Sequence, residues 1–180
     1  MRLCSLDQLR RTIYIGSFTK TIGPGLRVGF IAAEQGLADR LADIKMLIHV
    51  SNTEYAERVV DAVLRSPDYA PYLARLQELV ARETRHATKI LTGLGAELFC
   101  SPTHSLYLWA RFPWAPDALA LAKSLAKDQI AMAPGAFFST DGRSPTAWSR
   151  FNTGYVVDPR FTKIMLTHRI RRGSKAHVEG

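Results

Sequence analysis

Two β-rich segments near the N-terminus constrain the fold of this chain more than any other feature. The segments RTIYIGS (residues 11–17) and LRVGFIAA (residues 26–33) are almost unbroken apolar runs, and a Gly-Pro-Gly turn precedes the second. Such runs are typical of strands buried within a larger sheet, whereas a lone two-stranded hairpin is marginally stable in water. The periodicity predicts no further strand before residue 66. We therefore expect the first third of the chain to belong to a larger sheet, so that the chain is a fragment or needs a partner.

The rest of the chain alternates between helices and short strands. Amphipathic periodicity predicts helices at residues 36–50, 52–66, 72–95, 115–128 and 159–172. Alternating apolar residues predict strands at residues 96–100, 105–112, 130–134 and 148–155. From about Tyr69 onward this order is that of a compact α+β domain. We therefore expect two regions, residues 1–66 and residues 67–180.

Composition and charge argue against several classes of protein. Hydrophobic residues make up 47% of the chain and charged residues 22%, as in ordinary globular proteins. No apolar run is long enough for a transmembrane helix, and the N-terminal segment lacks the apolar core of an export signal. Cys4 and Cys100 match no metal or redox spacing, and the histidines are scattered. We therefore expect a cytoplasmic protein with no membrane partner and no metal site.

The net charge of +8 raises the question of nucleic-acid binding. Part of the excess lies in Arg10-Arg11 and in the C-terminal segment HRIRRGSKAH, and the rest is dispersed. No basic run is interleaved with aromatic residues, and no helix-turn-helix pattern is present. We therefore expect no direct nucleic-acid binding by this chain.

The turn between the two N-terminal strands carries unusual chemistry. In YIGSFTKTIGPGLRVGF (residues 14–30), the hydroxyl of Ser17, the amine of Lys20 and the guanidinium of Arg27 lie around one turn. Its glycines allow a ligand to approach the backbone closely, and an arginine fork suits a phosphate. An amine beside a phosphate site suits a cofactor that carries both an aldehyde and a phosphate, as pyridoxal 5'-phosphate does.

These residues resemble the lysine motif of the fold-type I pyridoxal-phosphate-dependent aminotransferases of class I/II, in which Ser-x-x-Lys precedes Pro-Gly-x-Arg-x-Gly. LYLWARFP (residues 106–113), IAMAPGAFF (residues 130–138) and WSRFNTGY (residues 148–155) resemble later motifs of the family. The segment FFSTDGRSPTAWSRFN (residues 137–152) is similar to the aminotransferase-like domain of MocR-type regulators of the GntR family. The resemblance implies an α/β fold, namely the C-terminal portion of the aspartate aminotransferase-like fold. Residues 1–66 would end the large cofactor-binding domain, and residues 67–180 would form the small α+β domain.

The resemblance also implies a role for each site residue. Lys20 would form an aldimine with the cofactor and carry a proton during amino-group transfer between an amino acid and a 2-oxo acid. Ser17 and Arg27 would hold the cofactor phosphate, and Arg150 would bind the substrate carboxylate. The alternative interpretations are a turn cap for Ser17, a surface lysine for Lys20, a strand-edge charge for Arg27 and an ion-pair residue for Arg150. Aromatic candidates for the substrate pocket, otherwise core residues, are Trp109, Trp114, Phe137, Phe138 and Trp148.

The chain departs from the family pattern ahead of the lysine. In the family, an acid for the pyridine nitrogen, a stacking aromatic, an asparagine and a Gly-rich phosphate turn precede the lysine. Only 19 residues precede Lys20 here, and they carry none of these groups. We therefore expect a homodimer or a complementing N-terminal half to complete the site.

Two other functions are compatible with parts of the sequence. Ser17 and Lys20 also fit the Ser-x-x-Lys motif of penicillin-recognising serine enzymes, but the downstream Ser-Asp-Asn and Lys-Thr-Gly motifs are missing. The stronger alternative is a non-catalytic, effector-sensing or dimerising domain of a GntR/MocR-type transcriptional regulator.

Overall fold

The computed structural model describes residues 3–142 and 144–176 of the chain. The helices are α1 (Leu3–Asp7), α2 (Gln35–His49), α3 (Glu54–Arg65), α4 (Tyr69–Gly93), α5 (Ala118–Ala126), α6 (Thr153–Val156) and α7 (Pro159–Ala176). The strands are β1 (Tyr14–Ser17), β2 (Gly29–Ala32), β3 (Glu97–Leu98), β4 (Tyr107–Arg111), β5 (Ala133–Pro134) and β6 (Trp148–Asn152). Short 3₁₀ helices cover Pro24–Leu26 and Gly135–Phe138. None of the described helices is both long and apolar enough to cross a membrane.

Contacts within the chain divide it into two compact units, Met1–Leu76 and Gln77–Gly180. The division falls inside helix α4, later than the boundary after residue 66 that the sequence suggests. Compact units within this chain do not by themselves define the domains of a longer fold. The assignment of residues 1–66 and 67–180 to a large and a small domain therefore stays a prediction.

The N-terminal unit contains the predicted hairpin. Strands β1 and β2 pair antiparallel, and Gly16 lies opposite Phe30. A side chain on Gly16 would overlap the ring of Phe30, whose centroid lies 5.5 Å from that of Tyr14 and 5.5 Å from that of Phe18. Glycine at this position therefore leaves room for an aromatic cluster on one face of the hairpin.

The other face of the hairpin is apolar and uncovered within this unit. Ile15 and Ile31 are opposite each other in the register. Their side chains are 72% and 51% exposed, respectively. Cross-strand apolar pairs of this kind stabilise a sheet when a further layer covers them. The exposed face of the hairpin is therefore suited to packing against further structure.

The C-terminal unit is built on an antiparallel sheet. Its strand order is β3-β4-β6-β5. The core shared by this sheet and helices α4, α5 and α7 contains Leu91, Leu108, Phe112, Leu125, Phe151 and Met165. Since successive side chains of a strand point to opposite faces, the alternate residues Tyr107, Trp109 and Arg150 share the other face, here termed the outer face.

All four strands of this sheet are shorter than the sequence pattern predicts: β3 comprises Glu97–Leu98 of the predicted 96–100, and β4 comprises Tyr107–Arg111 of the predicted 105–112. Strand β5 comprises only Ala133 and Pro134 of the predicted 130–134. Strand β6 ends at Asn152 instead of residue 155, because the Asn152 side chain accepts a hydrogen bond from the backbone N–H of Gly154 at 2.9 Å and caps helix α6. Local capping thus ends the extended backbone there.

A buried histidine joins helices α5 and α7. The Nε2 atom of His168 lies 2.7 Å from the Asp128 carboxylate, and Nδ1 lies 3.2 Å from the Ser124 hydroxyl. His168 is 6% exposed. Both ring nitrogens therefore have partners, as the burial of a polar ring requires.

Candidate functional site

Lys20 lies in a turn whose backbone is fixed by hydrogen bonds. The carbonyl oxygen of Phe18 accepts hydrogen bonds from the backbone N–H groups of Thr21, Ile22 and Gly23, at 3.2, 2.8 and 3.3 Å. Lys20 itself is exposed. Residues 17–27, here termed the lysine loop, therefore hold the Lys20 backbone in place and leave its side chain exposed.

An apolar cluster anchors the lysine loop on helix α3. Val28 is buried against Ala56 and Val60 of that helix. The loop residues packed against this cluster are Phe18, Ile22 and Leu26. Buried contacts with a helix restrict the motion of a loop. The backbone around Lys20 is therefore held against helix α3 within the N-terminal unit.

Ser17 ends strand β1 at the start of this turn. Its hydroxyl oxygen accepts a hydrogen bond from the backbone N–H of Thr19 at 3.2 Å. This is the turn cap that the alternative interpretation of Ser17 predicts. Within the described part of the chain, the hydroxyl hydrogen has no acceptor, so it stays free to donate to a ligand.

Arg27 ends the lysine loop in a strained backbone conformation. Its φ and ψ angles are 54° and 32°, the left-handed region. A residue with a Cβ pays about 1–2 kcal/mol in this conformation. Arg27 is exposed, and no carboxylate among the described residues pairs with it. A strained arginine without an internal partner is a reason to look for an external ligand.

Arg150 lies on the outer face of the C-terminal sheet. Its guanidinium carbon is 4.3 Å from the ring centroid of Tyr107 and 5.0 Å from that of Phe138. Among residues 3–142 and 144–170, whose side chains the structure describes, no carboxylate pairs with this guanidinium and no group accepts a hydrogen bond from it. The described residues thus give no support to the ion-pair interpretation of Arg150.

The candidate aromatics occupy different surroundings. Trp109 contacts Phe138, with ring centroids 5.3 Å apart. Trp148 lies against Arg111, 5.3 Å from centroid to guanidinium carbon, whereas Trp114 packs against the hydrophobic core. Phe137 is 66% exposed. Of the predicted set, Phe138 contacts the Arg150 guanidinium and Trp109 lies opposite Arg150 in the register.

Tyr107 is a site candidate that the sequence analysis missed. It precedes Trp109 by one period of strand β4, so both side chains lie on the same face of the sheet. The register places Trp109 opposite Arg150 and Tyr107 opposite Asn152. The alternation of side chains along β4 was visible in the sequence, but only the register with β6 shows that Tyr107 and Trp109 lie beside Arg150.

A cleft of about 550 Å³ opens beside strand β6 within the C-terminal unit. Its charged lining residues are Asp128, Arg150, Asp158 and Arg160. The side-chain hydrogen bond between Asp158 and Arg160 lowers the pKa of the carboxyl and raises the pKa of the guanidinium. Because Asp128 pairs with His168, Arg150 is the unpaired cation among the described lining residues.

The predicted site residues thus fall into two groups. Ser17, Lys20 and Arg27 belong to one hairpin and its loop in the N-terminal unit, and Arg150 belongs to the C-terminal unit. All of them are exposed. Their proposed roles toward a cofactor and a substrate stay predictions.

Solved structures share this fold. The kynurenine aminotransferase of Pyrococcus horikoshii matches with a TM-score of 0.80 at 18% identity, over 94% of this chain and 43% of that chain. The α-aminoadipate aminotransferase LysN of Thermus thermophilus matches with a TM-score of 0.78 at 18% identity, over 94% of this chain and 45% of that chain. The predicted fold, part of the aspartate aminotransferase-like α/β fold, is confirmed.

Curated relatives are named as regulators. The HTH-type transcriptional regulator NorG of Staphylococcus aureus (strain USA300) is 28% identical over 77% of this chain and 32% of its own length. The uncharacterized HTH-type transcriptional regulator YdcR of Escherichia coli (strain K12) is 30% identical over 83% of this chain and 32% of its own length. The chain therefore spans about a third of these relatives.

The family model for aminotransferase class I and II matches residues 3–158. That range contains the lysine loop, strand β6 with Arg150, and all of the helices and strands between them. The chain therefore belongs to the class I and II aminotransferase family.

Proposed function

We propose that this chain supplies the cofactor-binding lysine and the carboxylate-binding arginine of a pyridoxal-phosphate-dependent aminotransferase domain. That domain would transfer an amino group between an amino acid and a 2-oxo acid. The observation that carries the proposal is the lysine loop. It presents an amine, a hydroxyl and a strained guanidinium that has no carboxylate partner among the described residues.

The donor set of the lysine loop fits the cofactor. A phosphate is best bound by charge-assisted donors, and the guanidinium of Arg27 and the hydroxyl of Ser17 are such a pair at the two ends of the turn. The amine of Lys20 matches the aldehyde of pyridoxal phosphate. When bound, this cofactor supplies an electron sink for the bonds at the substrate's α-carbon.

Lys20 has two tasks in this proposal. Its amine would hold the cofactor at the aldehyde carbon, and the free Nζ atom would move a proton between the substrate's α-carbon and that carbon. The fixed backbone of the loop limits the positions that Nζ can reach. Proton transfer depends on this kind of positioning.

Arg150 orients the substrate in this proposal. A carboxylate accepts a bidentate pair of hydrogen bonds from a guanidinium, which a lysine cannot reproduce. The described residues leave the N–H groups of Arg150 unused. They are therefore available for the α-carboxylate of an amino acid.

The lysine assignment is tested by chemical trapping in the complete protein that contains this chain. Borohydride reduction after addition of pyridoxal phosphate is expected to fix the cofactor on Lys20, as shown by peptide mass spectrometry. Lys20→Ala is expected to lose the adduct. An adduct on Lys45 or Lys123 with Lys20 unmodified would contradict the assignment.

The arginine assignment is tested by amino-acid titration of Arg150→Lys. A lysine keeps the charge but not the bidentate pair, and loss of a hydrogen bond to a charged group costs about 1.5–3 kcal/mol, which is about 10- to 150-fold in affinity. Cofactor affinity is expected to stay unchanged. Arg111→Lys is the matched control, because Arg111 lies on the neighbouring strand and already pairs with Glu97 at 2.6 Å. Normal amino-acid affinity in Arg150→Lys would refute the role.

The second candidate function is an effector-sensing domain of a transcriptional regulator. It is favoured by the regulator names of the curated relatives. A sensor would bind pyridoxal phosphate and an amino acid, with a shift of the cofactor absorbance band but without release of a 2-oxo acid. Product formation on addition of an amino acid and 2-oxoglutarate therefore separates the two functions. A cytoplasmic location and a homodimer or complementing N-terminal half belong to both proposals.

A further inference from the structure

We infer that Tyr107 and Phe138 are positioning residues, which hold the guanidinium of Arg150 in place for a carboxylate. The inference rests on the proposed role of Arg150 and extends it to side chains that do not themselves pair with the carboxylate. It concerns only the C-terminal unit, where all of these residues lie.

The contacts of Arg150 are to aromatic rings. Its guanidinium carbon lies 4.3 Å from the centroid of Tyr107 and 5.0 Å from that of Phe138, within the range of a cation–π interaction. The ring faces attract the positive charge but accept no strong hydrogen bond. The N–H groups of Arg150 have no acceptor among the described residues. The rings therefore fix the group without occupying the donors that a carboxylate needs.

Preorganisation gives these contacts a consequence for binding. An arginine side chain has many rotamers, and a ligand that must order it loses affinity. Contact with the rings on the outer face restricts the guanidinium before any ligand arrives. Removal of either ring should therefore weaken carboxylate binding even though the arginine remains.

The position of Phe138 is itself determined by a close backbone approach. A Cβ atom on Gly135 would lie 2.7 Å from the carbonyl oxygen of Trp148 and 3.2 Å from the ring of Trp109. Glycine therefore lets the 3₁₀ helix Gly135–Phe138 lie directly against the sheet. The Phe138 ring then contacts Trp109 edge-on, with centroids 5.3 Å apart. This contact supports the ring from the side of the sheet.

The experiment measures carboxylate protection of Arg150 in the complete protein that contains this chain. Phenylglyoxal modifies arginines, and mass spectrometry of the peptides follows Arg150 and Arg111 separately. The probe is propionate, which has a carboxylate but no amine and so does not react with the cofactor. The measured quantity is the propionate concentration that halves the modification rate of Arg150.

Phe138→Leu and Tyr107→Leu are each expected to raise this concentration by about 2- to 30-fold, the range of a cation–π contact. Phe138→Tyr and Tyr107→Phe, which keep a ring, are expected to leave it unchanged. Phe137→Leu is the matched control, since Phe137 belongs to the same 3₁₀ helix and is 66% exposed. If Phe138→Leu fails to fold, Phe138→Met removes the ring with an unbranched side chain of similar volume.

The outcomes separate this inference from the proposed function. If propionate protects Arg150 equally well in the parent protein and in the leucine or methionine variants, the inference is overturned, but the carboxylate role of Arg150 is not. Absence of protection in the parent protein would overturn the carboxylate role of Arg150, and the inference with it. The cofactor role of Lys20 is tested separately by borohydride trapping, an experiment that uses no propionate.

Discussion

Replacement of Arg27 by glycine should separate the stability of the lysine loop from its proposed phosphate binding. Arg27 is exposed and adopts φ 54° and ψ 32° at the end of a short 3₁₀ helix. Glycine adopts this left-handed conformation without steric cost. The substitution therefore removes a strain and a guanidinium in one step, and the two effects are measured by different experiments.

The magnitudes follow from this geometry. Relief of left-handed strain contributes about 1–2 kcal/mol, and the greater flexibility of glycine in the unfolded chain offsets about 0.4–1 kcal/mol of it. We therefore expect the free energy of unfolding to stay the same or to rise by up to about 1.6 kcal/mol. Loss of a hydrogen bond to a charged group costs about 1.5–3 kcal/mol. Affinity for pyridoxal phosphate should thus fall by about 10- to 150-fold.

The assay combines urea unfolding with equilibrium dialysis of the cofactor, in the complete protein that contains this chain. Arg27→Ala should lose the same affinity but keep the strain, so it should be less stable than Arg27→Gly. Gln129→Gly is the matched control for the backbone effect, since Gln129 has φ 60° and lies in the C-terminal unit, outside the proposed phosphate site. Unchanged cofactor affinity in Arg27→Gly, or a clear loss of stability, would refute the reasoning.

Three further predictions concern the fold. Backbone N–H groups at the start of α2 donate hydrogen bonds to the Glu34 carboxylate and lower its pKa. The cap therefore stabilises the fold fully above about pH 4.5, and this stabilisation is lost as the pH falls through the lowered pKa. The resulting loss of helicity, measured by circular dichroism, should be absent in Glu34→Gln. His168→Leu should cost about 1–3 kcal/mol in urea unfolding, and His86→Leu, at an exposed position, should cost little. Because Ile15 and Ile31 are 72% and 51% exposed, the 180-residue chain should self-associate in size-exclusion chromatography with light scattering, and Ile31→Lys should reduce this; a monomer in both cases would contradict the expectation.

The hairpin and the lysine loop were predictable because their signals are local. Apolar runs on both sides of Gly-Pro-Gly give the strands, and the polar residues between them give the turn. The left-handed backbone of Arg27 was not predictable. Glycine and asparagine are the residues that indicate such a conformation, and an arginine gives no such signal.

The surroundings of Arg150 were predictable only in part. The aromatic residues of the outer face stand out in the sequence, and Phe138 was among the candidates. Tyr107 was missed because its contact with Arg150 depends on the register between strands β4 and β6, which are far apart in the sequence. Register is a tertiary property that a single-strand pattern does not specify. The early end of β6 likewise results from a side-chain cap at Asn152 that competes with extended backbone.

The two proposed functions make different demands on the same residues. A sensor and an aminotransferase both need the phosphate donors of the lysine loop and the carboxylate donor Arg150, so variants of Arg27 and Arg150 should impair either function. Only amino-group transfer requires Nζ of Lys20 to accept and return a proton. In Lys20→Ala supplied with an external amine such as methylamine, a small amine can substitute for the proton carrier. Partial recovery of product formation would therefore indicate transfer, whereas a sensor would show amino-acid binding and no product with or without the amine.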